Sequence, residues 1–134
     1  MKLVFMGTPQ FAVPTLEALV ASQHEIVLVV TNPDRPAGRG RKLRPPPVRL
    51  AAEKAGLPLL QPDSIDAAGM ADALIEADAD AFVVVAFSIL PEDVLAIPRL
   101  GSINLHPSLL PAYRGAAPIV WALFAGEQQT GLTT

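Results

Sequence analysis

The sequence contains no cysteine, so it can build neither a disulfide framework nor a thiolate metal site. It has only two histidines, His24 and His106, widely separated, and no carboxylate lies near His106 in the chain, so no metal centre is expected. Long apolar runs are missing too. None approaches the length of a membrane span, and the run before Gly7 in MKLVFMGTPQFAVP is too short for a secretory signal core. A soluble, cytoplasmic chain is the expectation. Gly7 is followed by Thr-Pro-Gln-Phe-Ala and lacks the further glycines of a dinucleotide fingerprint. There is also no phosphate loop ending in Gly-Lys-Ser/Thr. Covalent catalysis lacks a nucleophile: cysteine is absent, and Ser108 is not set in a G-x-S-x-G elbow. Orientation, hydrogen bonding and proton transfer remain as routes to chemistry.

What is present is apolar enough to fold. The 134 residues are 51% hydrophobic and 17% charged, which suits one domain and excludes a disordered chain. The net charge of −3 conceals a segregation. Six of the ten basic residues (Arg35, Arg39, Arg41, Lys42, Arg44 and Arg49) fall in one stretch, opposed only by Asp34. From Asp63 to Asp93 there are eight acids and no Lys or Arg. The basic stretch also holds Pro36, Gly38, Gly40 and Pro45-Pro46-Pro47, so it reads as a loop that continues neither helix nor strand. Arginine forks suit phosphate oxygens. A solvated loop without a partner and an arm for nucleic-acid phosphate both fit this composition.

Apolar periodicity divides the chain into alternating elements. Strands are predicted at Lys2–Met6, Ile26–Val30, Leu57–Leu60, Ala81–Ala86 and Ser102–His106. Helices are predicted from Pro14 to about Ser22, over Val48–Ala55, over Ala67–Ala77 capped by Asp66, from Pro91 to Ala96, and over Ala116–Phe124. Strand alternating with helix argues for an α/β fold, an open, mostly parallel sheet with helices on both faces. Ligands of such sheets bind beyond the carboxyl ends of the strands, where Gly7-Thr8-Pro9 and Asn104-Leu105-His106 are expected.

Asn104 and His106 are two apart, so on a strand both side chains point to one face. An amide N–H can hold a carbonyl oxygen as it becomes an oxyanion, and an imidazole can take a proton, a combination suited to acyl transfer. By spacing alone, the pair also fits a strand end whose Asn and His satisfy local backbone groups. His24, in the turn after the first helix, reads as a surface residue.

The segment Asn104-Leu105-His106-Pro107-Ser108-Leu109-Leu110-Pro111, followed by Tyr113-Arg114-Gly115-Ala116-Ala117-Pro118-Ile119, resembles the signature of the folate-dependent formyltransferases. Phe5-Met6-Gly7-Thr8-Pro9-Gln10-Phe11-Ala12 and the run Thr31 to Leu43 resemble the branch of that family that acts on methionyl-tRNA. The resemblance implies a Rossmann-like fold and transfer of a formyl group from 10-formyltetrahydrofolate to the α-amino group of methionyl initiator tRNA, in translation initiation. It implies that Asn104 and His106 are catalytic and that Ser108, Leu109, Leu110 and Pro111 line the folate site. It further implies that the arm bearing Arg35, Arg39, Arg41, Lys42 and Arg44 meets the tRNA, and that no metal takes part.

The sequence departs from that pattern in two places. Members carry a third catalytic residue, an Asp, shortly after the segment matching Gly131-Leu132-Thr133-Thr134, and then a separate C-terminal tRNA-binding domain. Residues 1–134 are therefore expected to be the N-terminal part of a catalytic domain, with little activity alone, and the longer protein is expected to be a monomer. Ala86-Phe87-Ser88-Ile89-Leu90-Pro91 replaces the usual Tyr-Gly before Leu-Pro, which changes one wall of the expected folate pocket. Two other readings compete. One is a formyltransferase acting on a small amine such as an amino sugar or nucleotide, which would not need the basic arm. The other is a non-catalytic RNA- or nucleotide-binding module, which would bind RNA but not folate.

Overall fold

In the computed structural model, residues 1–37, 42–64 and 69–134 are described. The chain divides into two units, Met1–Ile103 and Asn104–Thr134.

The first unit is built on a sheet of strands β1 (Lys2–Gly7), β2 (Glu25–Val30), β5 (Leu59–Leu60), β6 (Ala81–Val85) and the start of β7 (Ser102–Leu105). The order across the sheet is β5-β2-β1-β6-β7. β1 runs parallel to β2 and to β6, and β2 runs parallel to β5. Leu3 to Gly7 are all buried, as expected of a central strand covered on both faces. Val4 and Met6 point to one face, where they meet Val30, Phe82, Val84, Leu90 and Val94, together with Met70 and Leu74 of helix α3 (Met70–Glu76). Leu3 and Phe5 alternate to the other face.

A short 3-10 turn (Gln10–Ala12) leads from β1 into helix α1 (Val13–Val20), with Pro14 in the first turn, where its missing N–H costs nothing. Helix α2 (Pro47–Lys54) and helix α4 (Glu92–Leu95) complete the unit. The predicted elements are all found, with ends shifted by a few residues. The helix predicted over Ala67–Ala77 appears as α3; its proposed cap Asp66 and its first residue Ala67 lie outside the described residues.

Residue Gly7 owes its identity to more than a tight turn. It pairs in register with Val85, and a Cβ on it would lie 2.8 Å from Ala12 Cβ and 2.9 Å from the Val85 carbonyl oxygen. Since neither neighbour is the far end of a flexible side chain, only glycine lets β1, β6 and the following turn approach so closely.

The basic stretch corrects one expectation. Instead of continuing no strand, it forms an antiparallel hairpin of β3 (Arg35–Ala37) and β4 (Lys42–Arg44). Proline is tolerated because this two-stranded ribbon is all edge. His24 is also less exposed than expected: it is half-buried, and its Nδ1 is out of solvent with no hydrogen-bond partner among the described residues.

The second unit holds the end of β7, a turn-rich segment, and helix α5 (Pro118–Phe124). α5 begins two residues later than predicted because Ala117 takes a left-handed conformation at φ 54°. Among the described residues, no helix is long and apolar enough to cross a membrane.

Candidate active site

Within the second unit a cavity of about 350 Å³ is lined by Asn104, His106, Leu110, Arg114, Gly115, Thr133 and Thr134. The two polar residues predicted to share a face therefore share a cavity wall. Asn104 is exposed and His106 half-buried.

Backbone pairing fixes His106 firmly. Its N–H donates to the Thr133 carbonyl at 2.8 Å, and the Thr133 N–H returns a bond to the His106 carbonyl at 2.9 Å. Strand β7 thus stops at Leu105, and His106 forms an isolated antiparallel bridge with Thr133. The Thr133 hydroxyl donates to the Ser108 carbonyl at 2.7 Å and accepts the Leu110 N–H at 3.2 Å. Sequence reasoning did not mark Thr133, because a lone threonine near the C-terminal end carries no pattern of its own.

The ring of His106 has an orienting partner within the second unit. Its Nε2 lies 2.9 Å from the backbone carbonyl oxygen of Tyr113. Tyr113 sits at φ 55°, in the left-handed region, and its hydroxyl donates to Glu127 Oε1 at 2.6 Å. That bond, then burial and the Glu127 charge, hold the Tyr113 phenol above its ordinary pKa.

Of the stretch Ser108–Pro111, only Leu110 lines this cavity. Ser108 is fully buried, and its hydroxyl donates to the Ala112 carbonyl at 2.7 Å, so it serves the turn. Leu109 packs against Gly131, where a Cβ would collide with its side chain at 2.5 Å. Pro111 is exposed and follows a cis peptide bond. Arg114 lines the cavity as well.

In the first unit the arm divides into its cations and its root. Arg35, Lys42 and Arg44 are exposed and unpaired among the described residues, while Arg39 and Arg41 lie outside them. Arg35 stands directly opposite Arg44 in the hairpin register. Like charges so placed repel, and a polyanion would relieve them. Arg49, counted with the arm from sequence, belongs to the root instead. Its Nη1 lies 2.8 and 2.9 Å from the two carboxylate oxygens of Asp34, and its Nε lies 2.7 Å from Glu53 Oε1. Gln61 donates to Asp34 Oδ1 at 3.2 Å and to the Asn32 carbonyl at 2.9 Å. The Gln61 hydrogen bond and then Arg49 hold the Asp34 carboxyl below its ordinary pKa, against partial burial.

A larger hollow of about 510 Å³ opens by the amino ends of β1 and β2. Its charges are largely satisfied by one another: Lys2 pairs with Asp78 at 3.1 Å and Arg99 with Asp80 at 2.8 Å. Among the described residues, no group of three or more His, Asp or Glu is arranged to hold a metal.

Comparison with known proteins gives these features a context. The family model described as Formyl transferase matches residues 1–134. A methionyl-tRNA formyltransferase of Geobacter metallireducens is 53% identical over 135 residues, covering 100% of this chain and 43% of that protein. One from Acidobacterium capsulatum is 57% identical over 136 residues, covering 100% of this chain and 44% of the relative. The chain thus spans less than half the length of these curated relatives. Among solved structures, a phosphoribosylglycinamide formyltransferase from Bacillus halodurans superposes with a TM-score of 0.75 at 22% identity, covering 99% of this chain and 70% of that one. Another from Anaplasma phagocytophilum gives 0.72 at 26% identity, covering 99% and 62%. Sequence match and fold agree: the chain belongs to the formyl transferase family.

Proposed function

We propose that residues 1–134 supply the Asn/His part of an enzyme that formylates methionyl initiator tRNA from 10-formyltetrahydrofolate, in the cytoplasm, at the start of translation. The observation that carries this reading is the shared cavity of Asn104 and His106, in a chain about half identical to curated methionyl-tRNA formyltransferases.

The chemistry follows from these two groups. The α-amino nitrogen attacks the formyl carbon, and the carbonyl electron pair moves onto oxygen. The Asn104 amide N–H donates to that oxyanion, a contact stronger in the transition state than before it. His106 takes the proton that the attacking nitrogen sheds. The bond from the formyl carbon to the folate nitrogen then breaks, and that nitrogen regains a proton as tetrahydrofolate leaves. Leu110 offers an apolar contact to the folate, with Ser108, Leu109 and Pro111 shaping the turn that presents it. Arg35, Arg39, Arg41, Lys42 and Arg44 meet tRNA phosphates. The chain spans less than half of those relatives, and the parts of the enzyme outside residues 1–134 are supplied by the relative in the test that follows.

A chimera tests the reading. Residues 1–134 replace the matching part of the Geobacter metallireducens relative, and formylation of methionyl initiator tRNA is measured with 10-formyltetrahydrofolate. Turnover near that of the parent is expected, with little from the 134-residue chain alone. A folded chimera that formylates amino sugars or nucleotides instead, or that binds RNA but no folate, would overturn the reading.

A further inference from the structure

The Nε2 of His106 faces a carbonyl oxygen, which can only accept. A neutral imidazole that makes this bond must therefore carry its proton on Nε2, so its free lone pair lies on Nδ1. What holds the carbonyl in place is unusual. Tyr113 adopts φ 55°, a region that disfavours side chains with a Cβ, so the surrounding structure must pin it there.

One pin is visible. The Tyr113 hydroxyl donates to Glu127 Oε1 at 2.6 Å. Glu127 is itself anchored, since its N–H donates to the Ala122 carbonyl at 3.0 Å just past the end of α5. Gly126, at φ 73°, makes the turn that this requires. A continuous series of bonds thus runs from α5 through Glu127 and the Tyr113 phenol to the Tyr113 carbonyl and the His106 ring. Each link lies within the second unit.

We infer that Tyr113 and Glu127 are a positioning pair that fixes the His106 ring with its proton on Nε2 and reserves Nδ1 to accept the proton released by the reacting amine. This rests on the formyl-transfer reading for its purpose, but the tautomer is measurable without any turnover. Tyr113 and Glu127 touch no reacting atom; they act through His106 alone.

The test is two-bond nitrogen–proton correlation on the nitrogen-15-labelled 134-residue chain, at a pH where the ring is neutral. His24 is the only other histidine and is told apart by its substitution to Gln. In the wild type, His106 should show an unprotonated Nδ1, far downfield, and a protonated Nε2. Tyr113→Phe and Glu127→Ala should draw the two ring nitrogens toward a common, averaged shift. Glu127→Gln keeps an accepting oxygen and should retain the wild-type pattern.

A wild-type ring protonated on Nδ1 overturns the inference, whatever the variants do. So does a Tyr113→Phe or Glu127→Ala spectrum with the wild-type pattern at His106. These results would leave the formyl-transfer reading standing. An Nε2–H ring in a chain whose chimera transfers no formyl group would do the reverse, removing the assigned purpose and keeping the positioning pair.

Discussion

Arg49 grips Asp34 across the root of the basic hairpin, with one guanidinium nitrogen 2.8 and 2.9 Å from the two carboxylate oxygens. The grip joins helix α2 to the residue that precedes β3. It also separates two uses of arginine within one stretch of sequence. Arg49 is spent on structure, whereas Arg35 and Arg44 stay exposed on the ribbon.

A pH dependence follows for that root. Because its partners lower the Asp34 pKa below its ordinary value, its contribution is complete above the unfolded value and is lost as pH falls through the lowered one. Relative to a free amide at the same pH, exchange in the hairpin should therefore stay slow through pH 5 or thereabouts and quicken only in stronger acid. Asp34→Asn should bring the quicker exchange to neutral pH. Hairpin amides equally protected in wild type and Asp34→Asn would show that the pair does not hold the root.

Gly7→Ala should destabilise the chain by about 1–3 kcal/mol, the usual cost of forcing an extra methyl into a packed site. The clash is with Ala12 Cβ and the Val85 carbonyl, so relief requires the backbone to move. Denaturant unfolding of the two chains measures this. An unchanged midpoint would mean that β1 and β6 can part at no cost.

Neutralising Arg39, Arg41 and Lys42 together in the chimera should raise the KM for tRNA many-fold and leave the KM for folate nearly unchanged. It should also flatten the salt dependence of tRNA use, since fewer counterions are released on binding. Equal losses for both substrates would remove the arm from tRNA recognition.

The sheet was legible because its inner strands β1, β2 and β6 are mostly buried runs rich in Leu, Val, Ile and Phe. Asn104 and His106 were legible because a two-residue period places them on one face. The hairpin was not: Arg35-Pro36-Ala37 and Lys42-Leu43-Arg44 show no apolar alternation, and their pairing is set by register with each other and by the Asp34–Arg49 root. The left-handed residues Tyr113 and Ala117 were equally hidden, since neither is a glycine. The roles of Thr133 and Glu127 were hidden because they arise only when chain segments 25 and 14 residues apart meet. Ser108 shows a local role that its motif does not announce. Its hydroxyl donates to the Ala112 carbonyl at 2.7 Å.

The central claim is that Asn104 and His106 work together on one carbonyl, and Asn104→Ala in the chimera tests it most directly. The measurement is kcat for formylation of methionyl initiator tRNA, with the thermal unfolding of each protein alongside. A fall of about 10² to 10³-fold is predicted, the typical cost of removing one oxyanion donor, with the unfolding midpoint unchanged. Turnover within a few-fold of the parent chimera would contradict the account.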